Sequence, residues 1–173
     1  VARKGVRRTG VTRRQRAIYW GPVLGWVVLI FFWSTDLGSA DRSGDLLRRA
    51  IAWLMPDLAA TLSQEQLRLL NGLIRKTGHV AEYFVLACLL VRAQQSGRER
   101  IALRTLVYSA VAAAAVACLD ELYQSLMPSR TAALRDVLID TSGAAAGCIA
   151  CAAFFWLKQL ESRMLEAYSD NSA

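Results

Sequence analysis

Charge is scarce in this chain, and histidine is scarcer: 20% of the 173 residues are Asp, Glu, Lys or Arg, and His79 is the one histidine. A lone imidazole excludes the paired-histidine spacing H-x-x-x-H of many zinc sites. No RNA- or DNA-reading motif accompanies the 21 basic residues, so nucleic acid is excluded as a partner despite a net charge of +7. Low-complexity linkers and long internal repeats are also missing, which leaves a single domain. The four cysteines, Cys88, Cys118, Cys148 and Cys151, all fall within apolar segments, where they read as small hydrophobes. Cys148-x-x-Cys151 has no histidine or second pair near it, so a metal or redox role is set aside.

What is abundant is apolar sequence: 54% of the residues are hydrophobic and the mean hydropathy is +0.28. Such a composition points to a small membrane protein. Arg3, Lys4, Arg7, Arg8, Arg13, Arg14 and Arg16 precede the first apolar run, as in a cytoplasmic anchor obeying the positive-inside rule. A secretory leader would also begin with basic residues. The length of the run, Trp20, Trp26 and Trp33 along it, and the missing small-residue cleavage site favour a retained span. The lack of an initiator Met leaves open that the true start lies upstream.

Four spans are expected, at 17–33, 79–91, 101–122 and 137–157, the second being shorter than the roughly 20 residues that a bilayer requires. The loops then divide the charge. One side of the membrane carries 13 basic and 4 acidic residues and the other 8 basic and 10 acidic, so both termini are assigned to the cytoplasm. Residues 1–16 form a basic tail, 17–158 the four-helix membrane domain, and 159–173 a cytoplasmic C-terminal tail with a frayed end. Within the outer connection, 36–75, two amphipathic helices are expected along the membrane surface, at 45–54 and 63–74. Leu46, Leu47, Ala50, Ile51 and Leu54 form the apolar stripe of the first, Pro56 separates the two, and Ser63 with Gln66 forms a capping box for the second. A plain packed loop is the competing reading of this segment. Gly21-x-x-x-Gly25, Gly143-x-x-x-Gly147 and the alanine run 110–115 are read as faces where helices approach closely. The fold class is thus all-α membrane, with four transmembrane helices and amphipathic interfacial helices in the first outer connection.

With this orientation, three polar clusters at span ends all fall on the outer side. The start of span two carries Lys76, His79, Glu82 and Tyr83. The end of span three carries Asp120, Glu121 and Gln124, with Arg130 in the loop beyond Pro128. The start of span four carries Asp136 and Asp140. At about 100° per residue, Lys76, His79 and Tyr83 share a face with Glu82 at its edge, and Asp120 with Gln124 and Asp136 with Asp140 are each one turn apart. Gly143 and Gly147 continue the stripe of span four inward. An ionised acid within a span costs about 3 kcal/mol even on lenient scales, so such residues face the bundle interior and mark functional paths. A buried hydrogen-bond network joining short helices is the structural alternative, and Lys76 or Arg135 alone would serve as well by snorkelling.

The blocks R-K-T-G-H-V-A-E-Y, D-E-L-Y-Q-S-L-M-P-S-R and D-V-L-I-D-T-S-G-A-A-A-G resemble, in order and spacing, the VanZ-like family of small bacterial membrane proteins, over residues 34–147. The resemblance places the family's motif residues on Arg75, Lys76, His79, Glu82, Tyr83, Asp120, Glu121, Gln124, Arg130, Asp136 and Asp140. Ser129 stands where the family commonly has glycine. The family's name implies an association with resistance to teicoplanin and with the cell envelope.

One expected function is hydrolysis or transfer of a phosphate or headgroup on a membrane lipid or lipid-linked envelope precursor. His79, Glu82, Asp120, Glu121 and Asp140 would be the catalytic groups, and Lys76, Tyr83, Gln124, Arg130 and Asp136 would bind substrate. A divalent metal on His79, Glu82, Asp120 and Asp140 is the cofactor such ligands would hold. In a metal-free version His79 is nucleophile or general base. The competing functions are a non-enzymatic protein that binds or shields an envelope lipid or glycopeptide antibiotic, and a structural subunit of a membrane complex.

Overall fold

The computed structural model describes residues 13–35, 39–95, 100–127 and 133–171. Among these residues the chain is helical, with no strand: α1 (Arg13–Trp33), α2 (Ala40–Leu54), α3 (Pro56–Thr61), α4 (Gln64–Gln95), α5 (Leu103–Ser125) and α6 (Leu134–Asn171). Three of these helices, α1, α5 and α6, are long and apolar enough to cross a membrane. The expected span at 79–91 is the second half of α4, whose apolar stretch is too short by itself and is preceded by charged turns.

The helix expected at 63–74 is not a separate element. It runs without a break into the 79–91 segment as one 32-residue helix. The sequence has no proline between Pro56 and Pro128, so nothing interrupts the backbone hydrogen bonds where the hydropathy changes. The start is fixed as expected: Ser63 N–H donates to Gln66 Oε1 at 2.8 Å, and Gln66 N–H donates to Ser63 Oγ at 3.2 Å. Pro56 opens α3 at a position where its missing N–H costs nothing. The first amphipathic helix begins earlier than the apolar stripe, at Ala40, where the Ser39 side chain accepts from Arg42 N–H. It is tied to α4 by Asn71 Nδ2, which donates to the Ala40 carbonyl at 2.9 Å. At the other end of the chain α6 continues through the expected C-terminal tail to Asn171.

Helix α4 is the centre of the bundle and packs against α1, α2, α5 and α6. Its Tyr83, Leu86, Ala87, Leu90 and Val91 meet Val23 and Ile30 of α1, Ala113 and Ala117 of α5, and Ala144 and Cys148 of α6 in one core. The α4–α6 contact is the closest. A Cβ at Gly143 would lie 2.9 Å from Val80 Cα, and one at Gly147 would lie 3.1 Å from Ala87 Cβ. The Gly143-x-x-x-Gly147 face thus does what its spacing implied. Gly21 and Gly25 do not: a Cβ at either meets nothing within 4 Å. The face of α1 that meets the bundle is Tyr19, Val23, Trp26, Val27 and Ile30, and the two glycines lie on its other side. Trp26 pins this face by donating its Nε1–H to the Glu82 carbonyl at 2.9 Å. The outward sides of the long helices remain apolar, with Val28, Val111 and Ile149 more than 60% exposed, as a lipid-facing surface requires.

Candidate functional site

Three helices meet where the polar clusters of the sequence converge. His79 comes from the middle of α4, Asp120 from the last turns of α5, and Asp140 from the second turn of α6. One ligand atom from each lies within 4.8 Å of the others, although their sequence separations are large. The Gly143 contact explains the close approach. It lies one turn beyond Asp140, against Val80, the residue after His79, so the two backbones are held together beside the site. His79 Nδ1 lies 3.3 Å from Asp140 Oδ1, inside ion-pair range. Beyond this pairing neither atom has a hydrogen-bond partner, and both are buried.

Asp120 is held more firmly. Gln124 Nε2 donates to its Oδ2 at 2.9 Å, one turn along α5, and Ser34 Oγ donates to its Oδ1. Gln124 also reaches Ser34 Oγ at 3.4 Å. Ser34, just past the end of α1, is the site residue that the sequence reading missed. It is 4% exposed, and it joins α1 to the carboxylate that α5 brings to the cluster. The available signal was weak: a hydroxyl in the first non-apolar position after a long apolar helix.

Tyr83, one turn after His79, is wholly buried, and its hydroxyl has no hydrogen-bond partner. Asp120, Asp140 and Glu82 all lie close enough to act on it. Glu82 lies near His79 but outside the group of three ligands. Glu121 serves a different place. It accepts the backbone N–H of Ala133, just before α6, which fixes the helix start that carries Asp136 and Asp140. Its second oxygen is buried without a partner.

Beside the cluster lies a cavity of about 130 Å³, lined by Gly72, Arg75, Lys76, His79, Asp136, Ile139 and Asp140. Lys76 is exposed at its edge, Arg75 is half-buried, and Asp136 is near enough to attract the Arg75 guanidinium. The site is thus graded, with cations at the mouth and carboxylates with the imidazole inside. Arg130, the loop arginine expected here, lies outside the described residues.

The donor set suits a divalent ion: one imidazole nitrogen and two carboxylates is a borderline-hard combination, of the kind that holds zinc or manganese. His79 Nδ1 and Asp140 Oδ1 are buried and face each other at 3.3 Å with no other partner, so a cation seated between them would satisfy both. Asp120 has the reverse arrangement, its oxygens already oriented by Ser34 and Gln124 as outer partners orient metal-binding carboxylates.

A family model described as VanZ/LLP1 matches residues 19–156, which take in every residue of this cluster. The chain belongs to the VanZ/LLP1 family. No curated protein and no solved structure matches it. Within this VanZ/LLP1 chain, the three motif blocks noted in the sequence are the segments that supply His79, Asp120 and Asp140 to the cluster.

Proposed function

We propose that this membrane protein hydrolyses or transfers a phosphate or headgroup on a lipid-linked envelope precursor, with His79, Asp120 and Asp140 holding a divalent metal. The observation that carries the reading is the convergence of these three ligands from three helices within 4.8 Å, next to a cavity edged by Arg75 and Lys76. In this arrangement Arg75 and Lys76 bind the phosphate oxygens, and Arg75 can do so with two parallel N–H donors. Bound there, a divalent ion would neutralise phosphoryl oxygens and acidify a water. The attacking oxygen forms the new P–O bond as the bond to the leaving oxygen breaks. Glu82, near His79 but outside the three ligands, accepts the proton of the attacking group and returns it to the leaving oxygen. Tyr83, buried beside Asp120, Asp140 and Glu82, orients these carboxylates from behind the cavity.

In this reading α4 is a fourth span, short but sheltered by α1, α5 and α6, and both termini lie in the cytoplasm. The positive-inside rule supports that orientation, and it puts the cluster at the outer leaflet of a bacterial inner membrane. Exposed Leu46, Trp53, Leu54 and Leu58 on α2 and α3 support a surface-lying segment over the same leaflet. The test is release of phosphate or headgroup from lipids by purified protein, with and without EDTA. Release by wild type that is abolished in His79→Ala and by EDTA is the expected result. Equal behaviour of wild type and His79→Ala on every lipid class would rule the reading out.

A second reading is favoured by the Ser34–Asp120–Gln124 hydrogen bonds: a polar network that holds α1 to α5 and does no chemistry. It requires Asp120→Asn to unfold the protein in detergent. The enzymatic reading requires a folded but inactive variant.

A further inference from the structure

At the end of the bundle opposite the His79 cluster, α1, α4 and α6 enclose a second and much larger cavity, of about 880 Å³. That is within the range of about 300–1,000 Å³ typical of sites for small organic ligands. Its walls change character along each helix in the same order. On α4 the lining passes from Cys88 and Val91 to Arg92 and Gln95. On α6 it passes from Cys151, Phe154 and Phe155 to Lys158 and then Arg163, one stripe at helical spacing. Arg100, ahead of α5, adds another cation, and Glu166 is the acid at this rim. Arg92 is held in place by the Tyr19 ring, its guanidinium carbon 5.5 Å from the ring centroid.

We propose that this cavity binds an anionic phospholipid, with an acyl chain against Val91, Phe154 and Phe155 and the phosphate on Arg92, Lys158, Arg163 and Arg100. Cations scattered at a membrane edge need no ligand, since long basic side chains snorkel to the headgroups. Here they come from two helices and a loop and surround one opening, and the surface beneath them is apolar. That order, apolar within and cationic at the rim, matches an amphiphile whose tail enters first and whose phosphate stays at the mouth. A basic pocket between membrane helices is a recognised form of lipid-headgroup site. A free anion would leave the aromatic wall unused, and a zwitterionic lipid would leave the excess of positive charge unanswered.

The test is a native mass-spectrometric titration of the full chain in mild detergent with phosphatidylglycerol, phosphatidylcholine or inorganic phosphate. The expected result is phosphatidylglycerol binding at least tenfold tighter than phosphatidylcholine, no retained inorganic phosphate, and a tenfold or greater loss in R92Q/K158Q. The exposed single variant K158Q, which has no packing to lose, is expected to weaken binding several-fold and keeps the proposal testable if the double variant fails to fold. K158Q, which lines only this cavity, should leave metal retention at the His79 cluster as in wild type, so this site stands or falls separately from the cluster. Equal binding of the two lipids, retention of inorganic phosphate in place of lipid, or unchanged binding in K158Q and R92Q/K158Q would overturn the assignment.

Discussion

Replacing Gly143 by alanine adds one methyl group at the tightest point of the bundle. Its Cβ would sit 2.9 Å from Val80 Cα and closer still to the Val80 carbonyl oxygen, both of them backbone atoms of α4. Carbon atoms in contact prefer about 3.5–4.0 Å, so the two helices must separate by roughly 1 Å at this level. Overpacking of this kind costs typically about 1–3 kcal/mol, and a backbone neighbour that cannot rotate away puts the cost toward the upper end. At a chain of this size, 2 kcal/mol corresponds to a fall in Tm of about 4–8 °C. The same separation opens the His79–Asp140 pair beyond its 3.3 Å, because His79 precedes Val80 and Asp140 is one turn before Gly143. A chelate that needs ligand atoms within a few tenths of an ångström of place then loses about tenfold or more in divalent-ion affinity. Thermal unfolding in detergent and calorimetric titration with manganese or zinc measure the two effects on one preparation. Gly143→Ala with wild-type Tm and wild-type ion affinity would refute the link between the glycine contact and the site.

Three other substitutions separate structural from functional roles. Gly25→Ala should change stability by less than about 0.5 kcal/mol, since a Cβ there meets nothing within 4 Å; a large loss of Tm would show a contact not seen in this bundle. Ser34→Ala removes a donor from buried Asp120 and should cost about 1–3 kcal/mol by thermal unfolding, with a weaker metal site; an unchanged Tm would show that Asp120 is held by Gln124 alone. Tyr83→Phe removes a buried hydroxyl that has no hydrogen-bond partner, so stability should hold or rise while lipid turnover falls. A variant that unfolds would place Tyr83 in the structural network instead.

The helix ends that build the cluster were legible because one-turn spacing is a property of sequence. Asp120 and Gln124 share a face by their numbering, and the hydrogen bond between them follows. Which helix face meets which neighbour was less legible. Gly21-x-x-x-Gly25 and Gly143-x-x-x-Gly147 have the same spacing, yet only the second pair packs, because α1 turns Trp26 and Val23 inward instead. The continuity of α4 was hidden for another reason: hydropathy changes near residue 79, but backbone hydrogen bonds do not depend on hydropathy. Ser34 carried no periodic signal at all, and its role exists only because α1 ends beside α5. Glu121 shared the acidic cluster by sequence, but its place beside Asp120 turns it toward Ala133 and the start of α6. The large cavity at the far end was likewise invisible, being assembled from residues as distant as Tyr19 and Glu166.

The claim that His79, Asp120 and Asp140 form a divalent-metal site is tested most directly by metal stoichiometry. Purified protein would be equilibrated with zinc or manganese, passed through a desalting column, and assayed for metal by mass spectrometry. The expected result is a single ion retained per chain, lost in folded His79→Ala and Asp140→Asn variants that keep the wild-type elution profile. No ion retained by wild type, or equal retention in both variants, would contradict it.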